Sequence, residues 1–143
     1  MVASEATPWA KVGGLADVVA ALAAALRELG DEAAVLLPRY RGVPLDGARR
    51  VYQDLRVWFS PASMYTCDVY LLDRGVPYFL VDCPPLYDRP GIYGPPGEDY
   101  PDNHVRFAVL ARAALKLARY VFRPRILHCH DWQAALVPVY LST

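Results

Sequence analysis

The sequence predicts an α/β fold, a single domain built on a parallel sheet with flanking helices. Three observations carry this. The chain opens as strand, glycine-bearing turn, helix and strand; its middle is rich in β-forming residues; and it closes on helix, short strand and helix. The opening pattern is a βαβ unit, which implies parallel pairing and a right-handed crossover. With 143 residues there is room for one hydrophobic core and not comfortably for two.

Each element has a local reason. "MVASEA" reads as the last residues of a buried strand. From Leu15 the apolar residues Leu15, Val18, Val19, Leu22, Leu26 and Leu29 fall on one helical face, and Gly30 is a suitable terminator. "EAAVLLP" is a buried strand stopped by Pro38. "RRVYQDLRVWF", "MYTCDVYLLD" and "PYFLVDC" are β-rich, with "DRGV" turning the second into the third. They read as extra strands or a hairpin of the same domain. Residues 83–101 are proline, glycine and tyrosine without periodicity, a loop of a length that is often functional. The helix over "DNHVRFAVLARAALKLARYVF" is amphipathic. Phe107, Leu110, Ala111, Ala114, Leu115 and Ala118 lie on one side, with Arg112, Lys116 and Arg119 on the other. "RPRILHCHDW" is a short buried strand entering a polar turn, and "QAALVPVYL" begins another helix.

Composition narrows the function. Hydrophobic residues make up 55% and charged residues 21%, which excludes a disordered chain. Fifteen basic residues balance fifteen acidic ones, so net charge argues for neither nucleic acid nor an anionic membrane as partner. Cys67, Cys83 and Cys129 are odd in number and lack metal-ligand spacing, and read as reduced thiols. No apolar run approaches the ~20 residues of a membrane span. The first residues lack the basic region and following apolar block of a signal peptide. The expected location is the cytoplasm.

Two stretches carry chemistry. In "KVGGL", Lys11 precedes Gly13 and Gly14 at a helix mouth. Open α/β sheets bind ligands at the carboxyl ends of their strands. A helix start offers unpartnered N–H groups and roughly half a positive charge. Glycines admit phosphate oxygens to the backbone, and a lysine adds a full charge. An anion site, most simply for a nucleotide diphosphate, fits; a tight turn with a surface lysine fits the same spacing. Neither GxGxxG nor GxxxxGK[ST] is present. In "HCHDW", a polar cluster ends a strand and can contact substrate, or Asp131 can cap the next helix while Trp132 packs. His128 and His130 are read as facing opposite sides of the strand, hence as poor joint metal ligands. Asp102 and Asn103 are site candidates or plain helix caps. No metal motif and no Ser-His-Asp or Cys-His nucleophile signature is present.

"KVGGLADVV", "VLLPRYRG", "LYDRPGIYG", "DNHVRFAVLARAAL" and "HCHDWQAALVPVYL" follow one another in order. Together they resemble the N-terminal part of bacterial glycogen synthase, a glycosyltransferase family shared with plant starch synthases. The likeness covers essentially the whole chain. It implies the GT-B arrangement, two Rossmann-like domains facing across a cleft, of which this chain is a partial N-terminal, acceptor-side domain. It also implies transfer of glucose from ADP-glucose or UDP-glucose to the non-reducing-end 4-hydroxyl of an α-1,4-glucan. Configuration is retained and no metal or other cofactor is required. By resemblance Lys11 lies beside the nucleotide phosphates with Gly13 and Gly14. Asp102 and His130 match positions that contact the donor sugar, His128 less closely, and Tyr87 matches a tyrosine near the cleft.

A complete member has a second domain that carries most nucleotide contacts, so these residues are expected to be inactive by themselves. An exposed sheet edge and apolar surface are expected too, with self-association or domain exchange. The competing reading is a non-catalytic glucan-binding or interaction module that kept half of the fold. A GT-B transferase for a trehalose-type or other small acceptor is a third.

Overall fold

A computed structural model describes residues 1–143, except for the side chain of Ser60. Helix α1 (Gly14–Glu28) leads to strand β1 (Val35–Pro38), then β2 (Arg49–Ser60), β3 (Ser63–Asp73) and β4 (Pro77–Asp82). A short α2 (Pro84–Tyr87) opens the long loop, and α3 (Asn103–Leu117) follows, running into a π-helical turn at Ala118–Phe122. Two short helices, α4 (Asp131–Ala134) and α5 (Leu136–Leu141), close the chain.

The sheet is mixed, and its two halves differ in origin. Its order is β1-β4-β3-β2. β1 and β4 are parallel, whereas β4-β3 and β3-β2 are antiparallel hairpin pairs. Val2 extends the parallel half through single bridges to Leu36 and Cys129, both parallel. The opening strand therefore lies between β1 and the 127–129 segment, and the βαβ reading of residues 1–38 stands. Val2, Ala3, Ser4, Glu5 and Ala6 are all buried.

Helix α1 ends as its sequence predicts. Gly30 adopts φ +95°. Its N–H donates to Arg27 O and that of Asp31 to Leu26 O, the paired bonds of a Schellman cap. The buried face is turned toward the alanines: Ala16, Val19 and Ala23 are fully covered, while Val18 and Leu29 are exposed. Small residues let the helix lie close to its neighbours, and the larger side chains flank that contact.

Two expectations are corrected. Helix α3 is not simply amphipathic. It is covered nearly all round, with Arg106, Phe107, Ala108, Val109, Leu110, Ala111, Ala113, Ala114 and Leu117 buried. Its cations serve the edge strand instead of open solvent. Arg112 Nη1 donates to Trp58 O at 2.8 Å and Lys116 Nζ to Arg56 O at 2.5 Å, so two β2 carbonyls receive donors. Likewise "RPRILHCH" is not a buried strand. It touches the sheet through one bridge at Cys129, and Ile126 is 79% exposed. An apolar run marks capacity for burial; here the run has a ladder neighbour on one side only. All three cysteines are free thiols. Among the described residues no helix is long and apolar enough to cross a membrane.

Candidate functional site

The carboxyl ends of the parallel strands converge on one edge of the domain. Val2 hands over to Ser4 and Glu5, and the bridge at Cys129 hands over to His130 and Asp131. The 6–13 turn and the long loop cover this edge, the position at which open α/β sheets bind ligands.

The glycine motif forms the mouth of α1. Gly13 is the N-cap residue, in extended conformation, and no side chain caps the helix. Beyond its immediate chain neighbours and the helix's own backbone, a Cβ at Gly13 or Gly14 would meet no atom within 4 Å. No turn demands glycine here, so the open backbone is what the two residues provide. Lys11 Nζ lies 2.6 Å from Asp17 Oδ2, and Thr7 Oγ1 donates to Asp17 Oδ1 at 2.9 Å. Bonding from Lys11 first, then Thr7, holds the Asp17 carboxyl below its usual range. Both members of the ion pair are more than half exposed, so the lysine can reach an incoming anion at little cost.

Asp102 stands at the N-cap position of α3 but makes no side-chain cap bond. Its carboxylate instead meets Arg89 Nη1 at 2.8 Å, and that contact depresses its pKa. The plain capping explanation therefore fails for its side chain. It is an ionised acceptor, partly open to solvent.

His130 is held by the strand opening the chain. Its N–H donates to Val2 O at 3.0 Å, and Val2 N–H donates to His128 O at 2.8 Å. The imidazole is buried and its Nε2 has no partner. Burial, then the nearby His128 and the N-terminal ammonium, lower its pKa and favour the neutral ring. The expectation that His128 and His130 face opposite ways is corrected: their rings stack, 4.1 Å between centroids. Alternate residues of an extended chain return to the same face. Among the described residues no group of three His, Cys, Asp or Glu side chains is placed to hold a metal ion.

Tyr87 is the second correction. It is 0% exposed, its hydroxyl donates to Arg106 O at 2.8 Å, and its ring meets Tyr40 edge-on. A ring so enclosed supports the loop and has no open face for a ligand. Tyr93, six residues further on, is half-buried at this edge. Its hydroxyl bonds Ser4 Oγ and Glu5 Oε1, and its carbonyl accepts from Asn103 Nδ2 at 2.8 Å. Its ring approaches Phe107 and Trp132. Burial first, then the Glu5 bond, raise its pKa, so the phenol stays protonated. It joins the glycine mouth, the residue after Asp102 and the "HDW" turn. The available signal was its place between Gly91 and Gly94, where the backbone folds tightly on itself.

Glu5 was also missed. It is 3% exposed, and its Oε2 accepts from Val12 N–H at 2.6 Å and Gly13 N–H at 3.0 Å. A single carboxylate in the buried run "VASEA" was the sign. Arg106 is a third, fully buried. It donates to Leu86 O, Ile92 O and Asn103 Oδ1, tying both ends of the 86–92 stretch to the start of α3. The assembled edge offers open helix-mouth backbone beside a cation, an ionised carboxylate and a neutral imidazole. These groups can bind an anion and orient hydroxyls.

The chain has relatives along its whole length. The family model of the starch synthase catalytic domain matches residues 1–143. Glycogen synthase of Koribacter versatilis (strain Ellin345) is 41% identical over 144 residues, covering 99% of this chain and 29% of that protein. Glycogen synthase 2 of Geobacter metallireducens is 44% identical over 147 residues, covering 99% and 30%. Among solved structures, the catalytic domain of Starch Synthase IV from Arabidopsis thaliana, bound to ADP and acarbose, superposes with a TM-score of 0.75. It is 33% identical, over 98% of this chain and 29% of that one. The chain thus spans under a third of the length of these relatives. Matched from its first residue to its last, it belongs to the starch synthase catalytic domain family, the glycosyltransferases that include glycogen synthase.

Proposed function

We propose that these residues form the N-terminal half-site of a retaining glucosyltransferase. It moves glucose from a nucleotide sugar, ADP-glucose or UDP-glucose, to the 4-hydroxyl at the non-reducing end of an α-1,4-glucan. The observation that carries the reading is the glycine pair at the mouth of α1, open without steric need and flanked by an exposed lysine. Lys11 and the first N–H groups of α1 receive the diphosphate. Asp102 and His130 hold the glucosyl unit through its hydroxyls, with His128 behind His130. Cleavage between sugar and diphosphate builds negative charge on the leaving phosphate. Positive charge fixed there favours the transition state over the ground state. That the related Arabidopsis structure is described as bound to ADP and acarbose supports a nucleotide and a sugar-like ligand on this fold.

The half-site alone has no transferase activity, because the donor needs a facing surface to complete its electrostatic cage. Calorimetric titration of ADP into the 143-residue chain and its Lys11→Ala variant tests the reading. Weak ADP binding is expected, reduced about fivefold by Lys11→Ala, the value of a half-exposed charge contact. Binding of a maltooligosaccharide with no measurable ADP binding would favour the glucan-binding module instead.

A further inference from the structure

Glu5 is a buried carboxylate set against the backbone that the proposed phosphate site uses. One oxygen takes Val12 N–H at 2.6 Å and Gly13 N–H at 3.0 Å, and the other takes the Tyr93 hydroxyl. No Lys, Arg or His is ion-paired with it among the described residues. An acidic side chain beside an anion site opposes binding, unless it is needed for shape. Its partners indicate that need. Tyr93 carbonyl accepts from Asn103 Nδ2 at 2.8 Å, and Asn103 Oδ1 accepts from Arg106 at 2.6 Å. Asp102 immediately precedes Asn103, so the contacts run unbroken from the glycine mouth to the Asp102 end of α3.

We propose that Glu5 is the positioning residue of the site. It is an internal anion that fixes residues 12–13 ahead of α1 and, through Tyr93, holds that turn in register with Asp102. This rests on the half-site reading above. Two amides that precede the helix are satisfied internally, so an incoming phosphate meets Gly14, Leu15 and Lys11. Glu5 does not touch the ligand. It decides where the groups that do touch it stand.

Residue-resolved amide exchange on the full chain tests this without any ligand. In Glu5→Ala the Val12 and Gly13 amides should exchange about tenfold to a hundredfold faster, the loss of charge-assisted bonds. Amides of β1 and β4 should change far less. Glu5→Gln keeps an acceptor and a donor in place and should restore most of the protection. Tyr93→Phe should perturb the Gly13 and Asn103 amide shifts together. In the same variants ADP affinity should fall about tenfold in Glu5→Ala and stay within about threefold of wild type in Glu5→Gln, an isosteric change that also removes a repelling charge. Unchanged Val12 and Gly13 protection in Glu5→Ala would overturn the proposal. So would uniform acceleration over the whole sheet that Glu5→Gln does not rescue. Should Glu5→Ala fail to fold, Glu5→Gln and Tyr93→Phe carry the decision through the same shifts. Absence of ADP binding by wild type would remove the half-site reading, while the amide data would still judge whether Glu5 holds the turn.

Discussion

Two glycine pairs lie close to the candidate site, and they are there for opposite reasons. At Gly91 (φ +72°) a Cβ would overlap the carbonyl oxygen of Gly94, and at Gly94 it would overlap that of Glu98. These glycines are demanded by their own loop, which packs backbone on backbone to present Tyr93. Gly13 and Gly14 meet nothing within 4 Å. No internal contact requires them, and in the proposed half-site the missing side chains leave room for the ligand. A glycine's meaning is read from what a methyl group would strike. The first pair is scaffold and the second is opening, and this difference can be tested.

The largest effect is expected at Gly94→Ala. The overlap is with backbone, which cannot swing aside, so the loop must rebuild at a cost of about 3 kcal/mol. For a chain of this size that lowers the melting temperature by roughly 10 °C. Thermal unfolding followed by circular dichroism measures it, and a variant melting with wild type would remove the loop from the scaffold.

Arg106→Met attacks the same loop from beneath. Its guanidinium serves Leu86 O, Ile92 O and Asn103 Oδ1, while Nη2 is buried without a partner and burial lowers its pKa. Removing it strands three acceptors but also relieves a buried charge. We expect a net loss of about 2 kcal/mol in denaturant unfolding. Stability equal to wild type would mean that the loop holds itself.

Much of the scaffold was legible in the residues, and less of the site. The α1 stop at Gly30, the β1 stop at Pro38 and the turn before β4 are local events, written in glycine, proline and alternation. The covering of α3 and the exposure of 123–128 depend on which elements pack beside them, and periodicity carries no such information. Tyr87 and Tyr93 share a loop without a period, so composition could not tell the buried ring from the presented one. Lys11, Gly13 and Gly14 do come together at a helix mouth, and the Asp102 carboxylate pairs with Arg89 instead of capping α3. Glu5 escaped because its partners are two backbone amides and a tyrosine 88 residues away, a pairing that no local pattern shows.

A smaller effect separates the carboxylate and imidazole sides of the site by pH. The His130 pKa is lowered in the folded state, so below about pH 6.5 the unfolded chain binds the proton first. Stability should therefore decline as pH falls from neutrality toward 5, and His130→Gln should flatten that decline. Asp102 is shifted the other way with respect to charge. Arg89 keeps it ionised below its ordinary range. Its contribution is present above the unfolded pKa near 4 and is lost as pH falls through the depressed folded value. Arg89→Gln should remove that acid limb alone. A single limb unaffected by either variant would mean that neither group titrates as the geometry requires.

The smallest stability effect is the most informative. Gly14 opens α1, has space around its Cα and carries no left-handed φ. Alanine there should be neutral or stabilise the chain by a few tenths of a kcal/mol, since it favours the helix and restricts the unfolded chain. Ligand binding should change far more. A methyl group at the helix mouth stands where phosphate oxygens must approach the backbone, so ADP affinity should drop about tenfold while the melt is unmoved. The combination is diagnostic, because a scaffold glycine loses both together and an irrelevant one loses neither. If Gly14→Ala instead lowers stability by more than about 1 kcal/mol, Gly14 belongs with Gly91 and Gly94, and the contrast between the two pairs is lost. If it leaves both stability and ADP affinity unchanged, the opening receives something other than phosphate, and Lys11 loses its role with it.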